Sequence, residues 1–382
     1  MTINICNNCL YPDTKPDLWF DEKGVCSACN SFFNRKKISW AERDKEFKKI
    51  MMMRKKNQRS PYDCLIPVSG GKDSTYQVIK MLELGFNPLC VTATTDSPTP
   101  IGRRNLKNIR ELGVDLIEVN LNPKIRRKLN KICLKEIGDI SWPEHVAIFT
   151  VPIRLAVEMG IRIVIWGENP QNEYGGPATS VDEYVLTRQW LEEFGGLLGF
   201  RVSDLIHEFD FKEQDLHLYT YPTDDELKES EVTGLFLGYF YEWDGYTNSL
   251  ISQAYGFETF PKNIIGSLGG YENLDNYQTG IHDYFKFLKY GFGRVTDIVN
   301  NHIRRNRLTR DQGIKLVEMH DGVFPIEYLG KPLEEIIDEI GISLSEFEKI
   351  CDQFTNKEIF KTNNNGDLIK DKNKRLFKAF RY

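Results

Sequence analysis

The sequence predicts an α/β protein with a parallel, doubly wound sheet, a four-cysteine zinc ribbon before it and a mostly helical region after it. Three observations lead to this prediction. Apolar runs alternate with amphipathic segments of helical period between residues 62 and 200, two Cys-x2-Cys pairs precede them, and further helical segments follow. Strands that alternate with helices form parallel sheets in which the helices make the crossover connections.

The first element is a pair of cysteine motifs, in which Cys6 is paired with Cys9 and Cys26 with Cys29. Two such turns place four thiolates around one Zn²⁺ in a tetrahedron. Because four protein ligands leave no position for water or substrate, we expect a structural zinc ion. An iron–sulfur cluster would use the same ligands and is the weaker alternative.

The next segment, residues 36–60, is charged and helical, and it ends in the basic run 54–59. That run could contact RNA, although a solvated linker is the commoner explanation. Four strands and the helices between them follow. The predicted strands are 62–68, 88–95, 114–119 and 161–166, and the predicted helices are 74–84, 103–112 and 145–159.

The most informative segment is the hexapeptide Ser69-Gly70-Gly71-Lys72-Asp73-Ser74, which connects the first of these strands to the first of these helices. Two glycines let backbone N–H groups converge on one point, where the helix adds its positive end. Such a concavity binds phosphate. The hydroxyls of Ser69 and Ser74 can donate to phosphate oxygens. Lys72 can add positive charge, and Asp73 can hold a hydrated Mg²⁺.

Two further loops should meet this turn, because ligands of such sheets bind outside the carboxyl ends of the strands. Thr94 and Asp96 follow the second strand, and Gly167, Glu168 and Asn169 follow the fourth. We expect the first pair to contact adenine or ribose, although Asp96 could equally be a solvated loop residue. The glycine should border the nucleotide, and the other two residues of the fourth loop should face a second substrate.

Composition narrows the class of protein. The 382 residues include 50 Lys and Arg against 55 Asp and Glu, which gives a formal charge of −5. An acidic chain is a poor general binder of nucleic acid. No run of about eighteen apolar residues predicts a transmembrane helix, and the N-terminus lacks the features of a signal peptide. We expect a cytoplasmic protein with no nucleic-acid or membrane partner.

The hexapeptide resembles the PP-loop of the ATP pyrophosphatase superfamily, whose HUP-like enzymes split ATP into AMP and pyrophosphate and adenylate an oxygen of their substrate. Over about residues 6–325, the chain resembles the N-acetyl sugar amidotransferase family of surface-polysaccharide and flagellin-glycan biosynthesis. The motifs that carry the resemblance are Cys6-x2-Cys9, Tyr11-Pro12-Asp13-Thr14, Phe20–Cys26, Ser69–Ser74, Tyr241–Asp244 and Lys289–Arg294.

The resemblance implies that an acetamido group is converted to an acetamidino group, with ATP and Mg²⁺. The implied substrates are a nonulosonic acid, such as pseudaminic or legionaminic acid, or a nucleotide-linked sugar of lipopolysaccharide. It also implies ammonia from a separate glutaminase, delivered with a cyclase-like subunit. Lys72 and Asp73 are the expected catalytic residues. A sugar carboxylate would be held well by an Arg that donates two parallel hydrogen bonds. The candidates are Arg294 and Arg304, and Lys286 and Lys289 are further candidates.

We divide the chain into four regions. They are a zinc ribbon over 1–35, a helical and basic linker over 36–60, a PP-loop domain over 61–200 and a substrate- or partner-binding region over 201–382. Within the last region, 331–360 has helical periodicity, and the final twenty residues are expected to pack poorly.

Two alternative functions remain open. One is a PP-loop enzyme that modifies tRNA by thiolation or lysidine formation. Thiolation usually needs cysteines near the ATP site, whereas Cys64 and Cys90 lie in apolar strand-like runs, where small core residues are usual. The other is a non-catalytic scaffold, against which the complete hexapeptide argues.

Overall fold

A six-stranded sheet forms the centre of the computed structural model, which describes residues 3–56, 60–95, 97–176, 184–186 and 199–382. The strands of the sheet are β1 (Cys64–Pro67), β2 (Pro88–Ala93), β3 (Asp115–Val119), β4 (Ile163–Trp166), β5 (Val185–Leu186) and β6 (Thr233–Phe236). Their order across the sheet is β3-β2-β1-β4-β6-β5, and the described pairs are parallel except β5 with β6. A separate hairpin pairs β7 (Glu327–Tyr328) with β8 (Lys331–Pro332).

Helices connect and follow these strands. Before β4 they are α1 (Ser27–Arg35), α2 (Trp40–Lys55), α3 (Lys72–Glu83), α4 (Pro100–Glu111), α5 (Pro123–Ile137) and α6 (Trp142–Met159). After β4 they are α7 (Pro170–Tyr174), α8 (Val202–Glu208), α9 (Asp224–Ser230), α10 (Leu237–Phe240), α11 (Gly245–Ala254), α12 (Thr279–Tyr290), α13 (Arg294–Arg304), α14 (Arg310–His320), α15 (Leu333–Asp338) and α16 (Leu344–Phe354). None of the helices in the described ranges is both long and apolar enough to cross a membrane.

Neighbouring residues of β1 pack into different cores, as the two-residue period of a strand requires. Leu65 joins a cluster with α5 and α6, whereas Cys64 and Ile66 join a second cluster with α2, α3 and α4. Helices therefore cover both faces of a mainly parallel sheet. The predicted doubly wound α/β class is confirmed.

The sheet also includes β6, which follows residue 200, so the sheet extends into the region that we assigned to substrate or partner binding. The expectation of a poorly packed tail is wrong. Bridges join Phe360 to Lys378 and Lys370 to Leu376, and both Phe360 and Leu376 are buried in the C-terminal core. The apolar side chains of the tail complete a core that the surrounding polar residues concealed in the sequence.

The N-terminal ribbon packs on α13 rather than on the sheet. The backbone N–H of Leu10 donates to Asn300 (2.7 Å), and the hydroxyl of Tyr11 donates to the carboxylate of Asp297 (2.8 Å). The ring of Tyr11 also meets Phe292 edge-on, with 5.6 Å between centroids. These buried contacts hold the ribbon beside the C-terminal region.

Candidate active site

The predicted phosphate-binding turn lies between β1 and α3, at the carboxyl end of a central strand. Gly71 stands at the N-cap position, so the first turn of α3 directs its backbone N–H groups outward without a capping side chain of its own. The backbone N–H of Gly71 donates to Ser69 Oγ at 3.3 Å, and Ser74 Oγ donates to the Gly71 carbonyl at 3.0 Å. The hexapeptide therefore lies at a turn from strand to helix, and both serine hydroxyls are hydrogen-bonded to Gly71.

Gly70 allows the turn to contact α4. Its φ is +83°, and a Cβ built on it would lie 2.9 Å from the backbone nitrogen of Leu106 and 3.0 Å from the carbonyl oxygen of Gly102. Both obstacles are backbone atoms of a helix, which cannot move aside as a flexible side chain could. A side chain at this position would therefore displace the turn or α4.

Lys72 is buried at the start of α3, with a side chain that bridges two acids. Its ammonium lies 2.7 Å from Asp73 and 3.0 Å from Glu272. Burial by itself would lower the pKa of Lys72, but the two carboxylates raise it above its usual value. The group is therefore a permanent cation and cannot serve as a base near neutral pH.

Helix α11 packs against α3 and supports the turn. Ser252 Oγ donates to the carbonyl of Lys72 at 2.7 Å, and Asn248 Nδ2 donates to Asp73 Oδ1 at 3.0 Å. These residues lie more than 170 positions along the chain from the turn. Sequence reasoning missed Asn248, Ser252 and Glu272, although the motif Tyr241–Asp244 immediately precedes α11 and could have drawn attention to that helix.

A cavity of about 510 Å³ opens at the carboxyl ends of β1, β2 and β4. The predicted residues Ser69, Asp73, Ser74, Thr94, Gly167 and Glu168 all line it. Its deeper walls carry apolar groups, among them Phe149 and Trp166, whose rings lie 5.0 Å apart. The edge thus combines hydroxyls, carboxylates and aromatic surface, as a nucleotide site requires.

A second, more polar cavity of about 40 Å³ adjoins the first. Asp73 and Glu168 line both, and Lys72, Tyr271, Glu272 and Arg294 line only the second. The two carboxylates therefore mark the point where the cavities meet.

Glu168 is the carboxylate with the most altered acidity at this junction. Burial raises the pKa of Glu168 to about 8, and the nearby charges of Asp73 and Glu173 act in the same direction. The hydroxyl of Tyr174 donates to its Oε2 at 3.1 Å. Glu168 can therefore gain or lose a proton near neutral pH, as a general acid or base must.

The predicted carboxylate-binding arginines are engaged by protein groups. Arg294 lines the smaller cavity and forms a two-point contact with Asp283, at 3.0 and 3.2 Å. Arg304 is 3 % exposed and donates to the carbonyl of Glu173 and to Asn301, each at 2.7 Å. Arg304 therefore fastens α7, the short helix after β4, to α13.

The remaining predicted residues lie elsewhere. The ammonium of Lys289 donates to the carbonyl of Ile137 at 2.6 Å, and Lys289 is not among the lining residues of either cavity. Lys286 pairs with Asp297 of α13, which lines the smaller cavity, and Lys286 itself is not among the lining residues of that cavity. Asn169 is buried at the start of α7. Asp96, the predicted ribose contact, lies outside the described residues.

The four ribbon cysteines converge as predicted. Their sulfur atoms lie within 4.8 Å of one another, and all four residues are buried. The Sγ atoms of Cys9 and Cys26 are 3.6 Å apart, close to the edge of about 3.8 Å that a tetrahedron with Zn–S distances of about 2.3 Å requires. The backbone N–H of Cys26 donates to Cys6 Sγ at 3.2 Å, which stabilises a thiolate. The donor set fits a structural Zn²⁺.

Comparison with known proteins gives a family match in the C-terminal part. Residues 257–376 match the family model described as the C-terminal domain of WbpG-like LPS biosynthesis proteins. This match agrees with the resemblance that the sequence motifs predicted. Tyr271, Glu272 and Arg294 of the smaller cavity all belong to the matched region.

Two solved structures are similar in part. One is NMN synthetase from Francisella tularensis, with 13% identity over 59% of this chain and 99% of that chain and a TM-score of 0.28. The other is a predicted subunit of tRNA methyltransferase from Methanocaldococcus jannaschii, with 18% identity over 47% of this chain and 93% of that chain and a TM-score of 0.23. No curated protein sequence matches the chain.

Proposed function

We propose that the chain is an ATP pyrophosphatase-type amidotransferase that converts the acetamido group of a bacterial surface sugar into an acetamidino group. The observation that carries the proposal is the junction of the two cavities at Asp73 and Glu168, beside a complete phosphate-binding turn. A nucleotide in the larger cavity would present its α-phosphate at this junction. A group in the smaller cavity would then lie within reach of it.

The turn suits the pyrophosphate part of ATP. The N-terminus of α3 and the hydroxyls of Ser69 and Ser74 lie at the larger cavity, and the cation of Lys72 lines the adjoining smaller one. Each of these groups favours the charge that develops on leaving pyrophosphate. Thr94 and the aromatic wall of the cavity would receive ribose and adenine. The carboxylate of Asp73 would hold Mg²⁺, which supplies further neutralisation of phosphate charge when bound.

The chemistry follows from the poor reactivity of an amide. The acetamido oxygen attacks the α-phosphorus, the bond to pyrophosphate breaks, and an O-adenylyl imidate forms. Ammonia then adds to the imidate carbon, a proton is lost, and the C–O bond to AMP breaks to leave the amidine. Glu168 lies at the junction and is the group suited to accept that proton, because its pKa of about 8 makes its carboxylate a stronger base than an ordinary glutamate as the pH rises above neutral.

The smaller cavity and the family match support a sugar substrate. Its volume suits an acetamido group rather than a whole sugar ring, so the ring would lie at the mouth. Tyr246 lines that cavity, is 38% exposed and is edge-on to Tyr271, with 6.2 Å between centroids. We include pseudaminic and legionaminic acids and nucleotide-linked lipopolysaccharide sugars as substrates for test.

The cysteines bear on the ammonia source. All eight are buried, and burial raises the pKa of the four outside the ribbon, Cys64, Cys90, Cys133 and Cys351. A buried neutral thiol is a poor nucleophile for glutamine hydrolysis. We therefore propose that a separate glutaminase, with a cyclase-like subunit, supplies ammonia. The same burial disfavours thiolation of tRNA by this chain.

The test is to follow ATP with the purified chain, high ammonium and a panel of N-acetyl sugars. Nucleotide chromatography should show AMP, and mass spectrometry should show the acetamido oxygen replaced by NH. Asp73→Asn serves as the inactive control. Formation of ADP would remove the proposed chemistry, and AMP formed with tRNA but with none of the sugars would favour a tRNA-modifying enzyme.

A further inference from the structure

A second group of metal-ligating side chains lies apart from the ribbon cysteines. Asp139 is in the turn between α5 and α6, His145 is in the first turn of α6, and His282 is in α12. One ligand atom from each lies within 4.8 Å of the others. Asp139 and His145 are close in sequence, whereas His282 lies 143 positions from Asp139, so the tertiary fold brings the second imidazole to the other two groups.

The nitrogens of the two imidazoles converge on one carboxylate. Nδ1 of His282 lies 2.8 Å from Oδ1 of Asp139, and Nδ1 of His145 lies 3.9 Å from Oδ2 of the same group. The rings of the two histidines are edge-on, with 4.9 Å between centroids. The backbone N–H of Ser141 donates to Asp139 Oδ1 at 2.9 Å and thereby orients the carboxylate.

His145 is not explained by ordinary packing. Its Nδ1 is shielded from solvent, yet among the residues that the structure describes it has no hydrogen-bond partner. A buried polar atom of this kind indicates an absent partner, such as water or an ion. An ion between the three side chains would satisfy that nitrogen and the second oxygen of Asp139 together.

Charge and access are compatible with a cation here. The carboxylate of Asp139 is 5% exposed, whereas the two histidine side chains are 23% and 26% exposed, so both imidazoles are in partial contact with solvent. Two positive side chains that act electrostatically on these groups, Arg294 and Lys289, are held by other partners. Arg294 pairs with Asp283 at 3.0 Å, and Lys289 donates to the carbonyl of Ile137.

We propose that Asp139, His145 and His282 bind a divalent transition-metal ion, with Zn²⁺ as the reference ion. Two imidazoles and a carboxylate are a ligand set that Zn²⁺ accepts, and three protein ligands leave one position for water. Because His282 belongs to the region matched by the LPS biosynthesis family and the other two ligands belong to the sheet domain, the ion would join the two regions.

The test uses Co²⁺ as the probe, loaded into the metal-free full-length chain. Co²⁺ bound by the ribbon gives intense sulfur-to-metal charge transfer, whereas Co²⁺ bound by nitrogen and oxygen gives only weak visible bands. We expect a second metal equivalent without added charge transfer. His145→Gln with His282→Gln should lose that equivalent alone, and His207→Gln, an exposed histidine of α8, should lose none.

A measurement on the unaltered chain protects the test against a misfolded variant. X-ray absorption of the Zn²⁺-loaded protein should show nitrogen and oxygen neighbours in addition to sulfur. Sulfur neighbours alone, or saturation at a single metal equivalent, would overturn the proposal. Retention of the second equivalent by a folded double variant would overturn it as well.

Discussion

Replacing Gly70 by Ala tests whether close contact with α4 positions the phosphate-binding turn. Gly85, at the other end of α3, is a matched control because its φ is +80° against +83° at Gly70, and a Cβ there meets nothing within 4 Å. Each substitution imposes the left-handed backbone penalty of about 1–2 kcal/mol. Alanine also lowers the conformational entropy of the unfolded chain, which stabilises the folded state by about 0.4–1 kcal/mol. This gain is the same in both variants and cancels in the comparison.

Only Gly70→Ala adds a clash, since its Cβ would lie 2.9 Å from a backbone nitrogen of α4. Overpacking of this kind costs about 1–3 kcal/mol, so Gly70→Ala should be less stable than Gly85→Ala by that amount. Movement of the turn should also weaken ATP binding in Gly70→Ala alone.

The assay is denaturant unfolding of both variants and the wild-type chain, with ATP affinity measured by calorimetry. The denaturant midpoints of the three chains can be compared if the slopes of the unfolding free energy against denaturant concentration agree. Equal destabilisation of the two variants, together with unchanged ATP affinity in Gly70→Ala, would refute the assigned role of the close contact.

Three further predictions concern the chemistry and the metal. Asp73→Asn keeps a side-chain oxygen that can accept the hydrogen bond from Asn248. The substitution should lower the single-turnover rate of AMP formation by roughly 10²–10³ and weaken ATP binding less, because the charge on pyrophosphate grows as its bond to the α-phosphorus breaks. A wild-type rate would contradict the catalytic assignment. Cys26→Ser should lose the ribbon metal, whose binding contributes on the order of 10 kcal/mol to folding in small zinc domains, and elemental analysis that finds as many metal equivalents as in the wild-type chain would disprove the ligand assignment. At a constant concentration of free NH₃, the rate of amidine formation by the wild-type chain should rise with pH through about 8, because Glu168 loses its proton there. The charges of Asp73, Glu173 and Lys72 act on that proton. In Glu168→Gln the dependence of the rate on pH should be flatter. Exchange of labelled pyrophosphate into ATP in the presence of sugar shows that the adenylation step still works. If this exchange is intact and the pH dependence of Glu168→Gln equals that of the wild-type chain, Glu168 is not the base.

Local signals predicted four of the six strands of the sheet and the helices α3, α4 and α6 between them. The predicted strand 161–166 corresponds to β4, and the predicted helix 145–159 lies within α6. The helix α5 was missed, although Asn122 caps it and Pro123 occupies its first turn, because its many basic residues weaken the apolar period. The strand β6 was missed because four residues after a polar helix carry little periodic signal.

The amino-acid sequence by itself determined the phosphate-binding turn and the cysteine ribbon. In both, the spacing of a few neighbouring residues sets the backbone geometry, so Gly70-Gly71 and the paired cysteines are informative without any partner. The tertiary structure alone decided which distant groups complete the site. Glu272 reaches Lys72 across 200 positions of the chain. Charge pairing and burial at such separations depend on the packing of whole elements, and no local pattern records them.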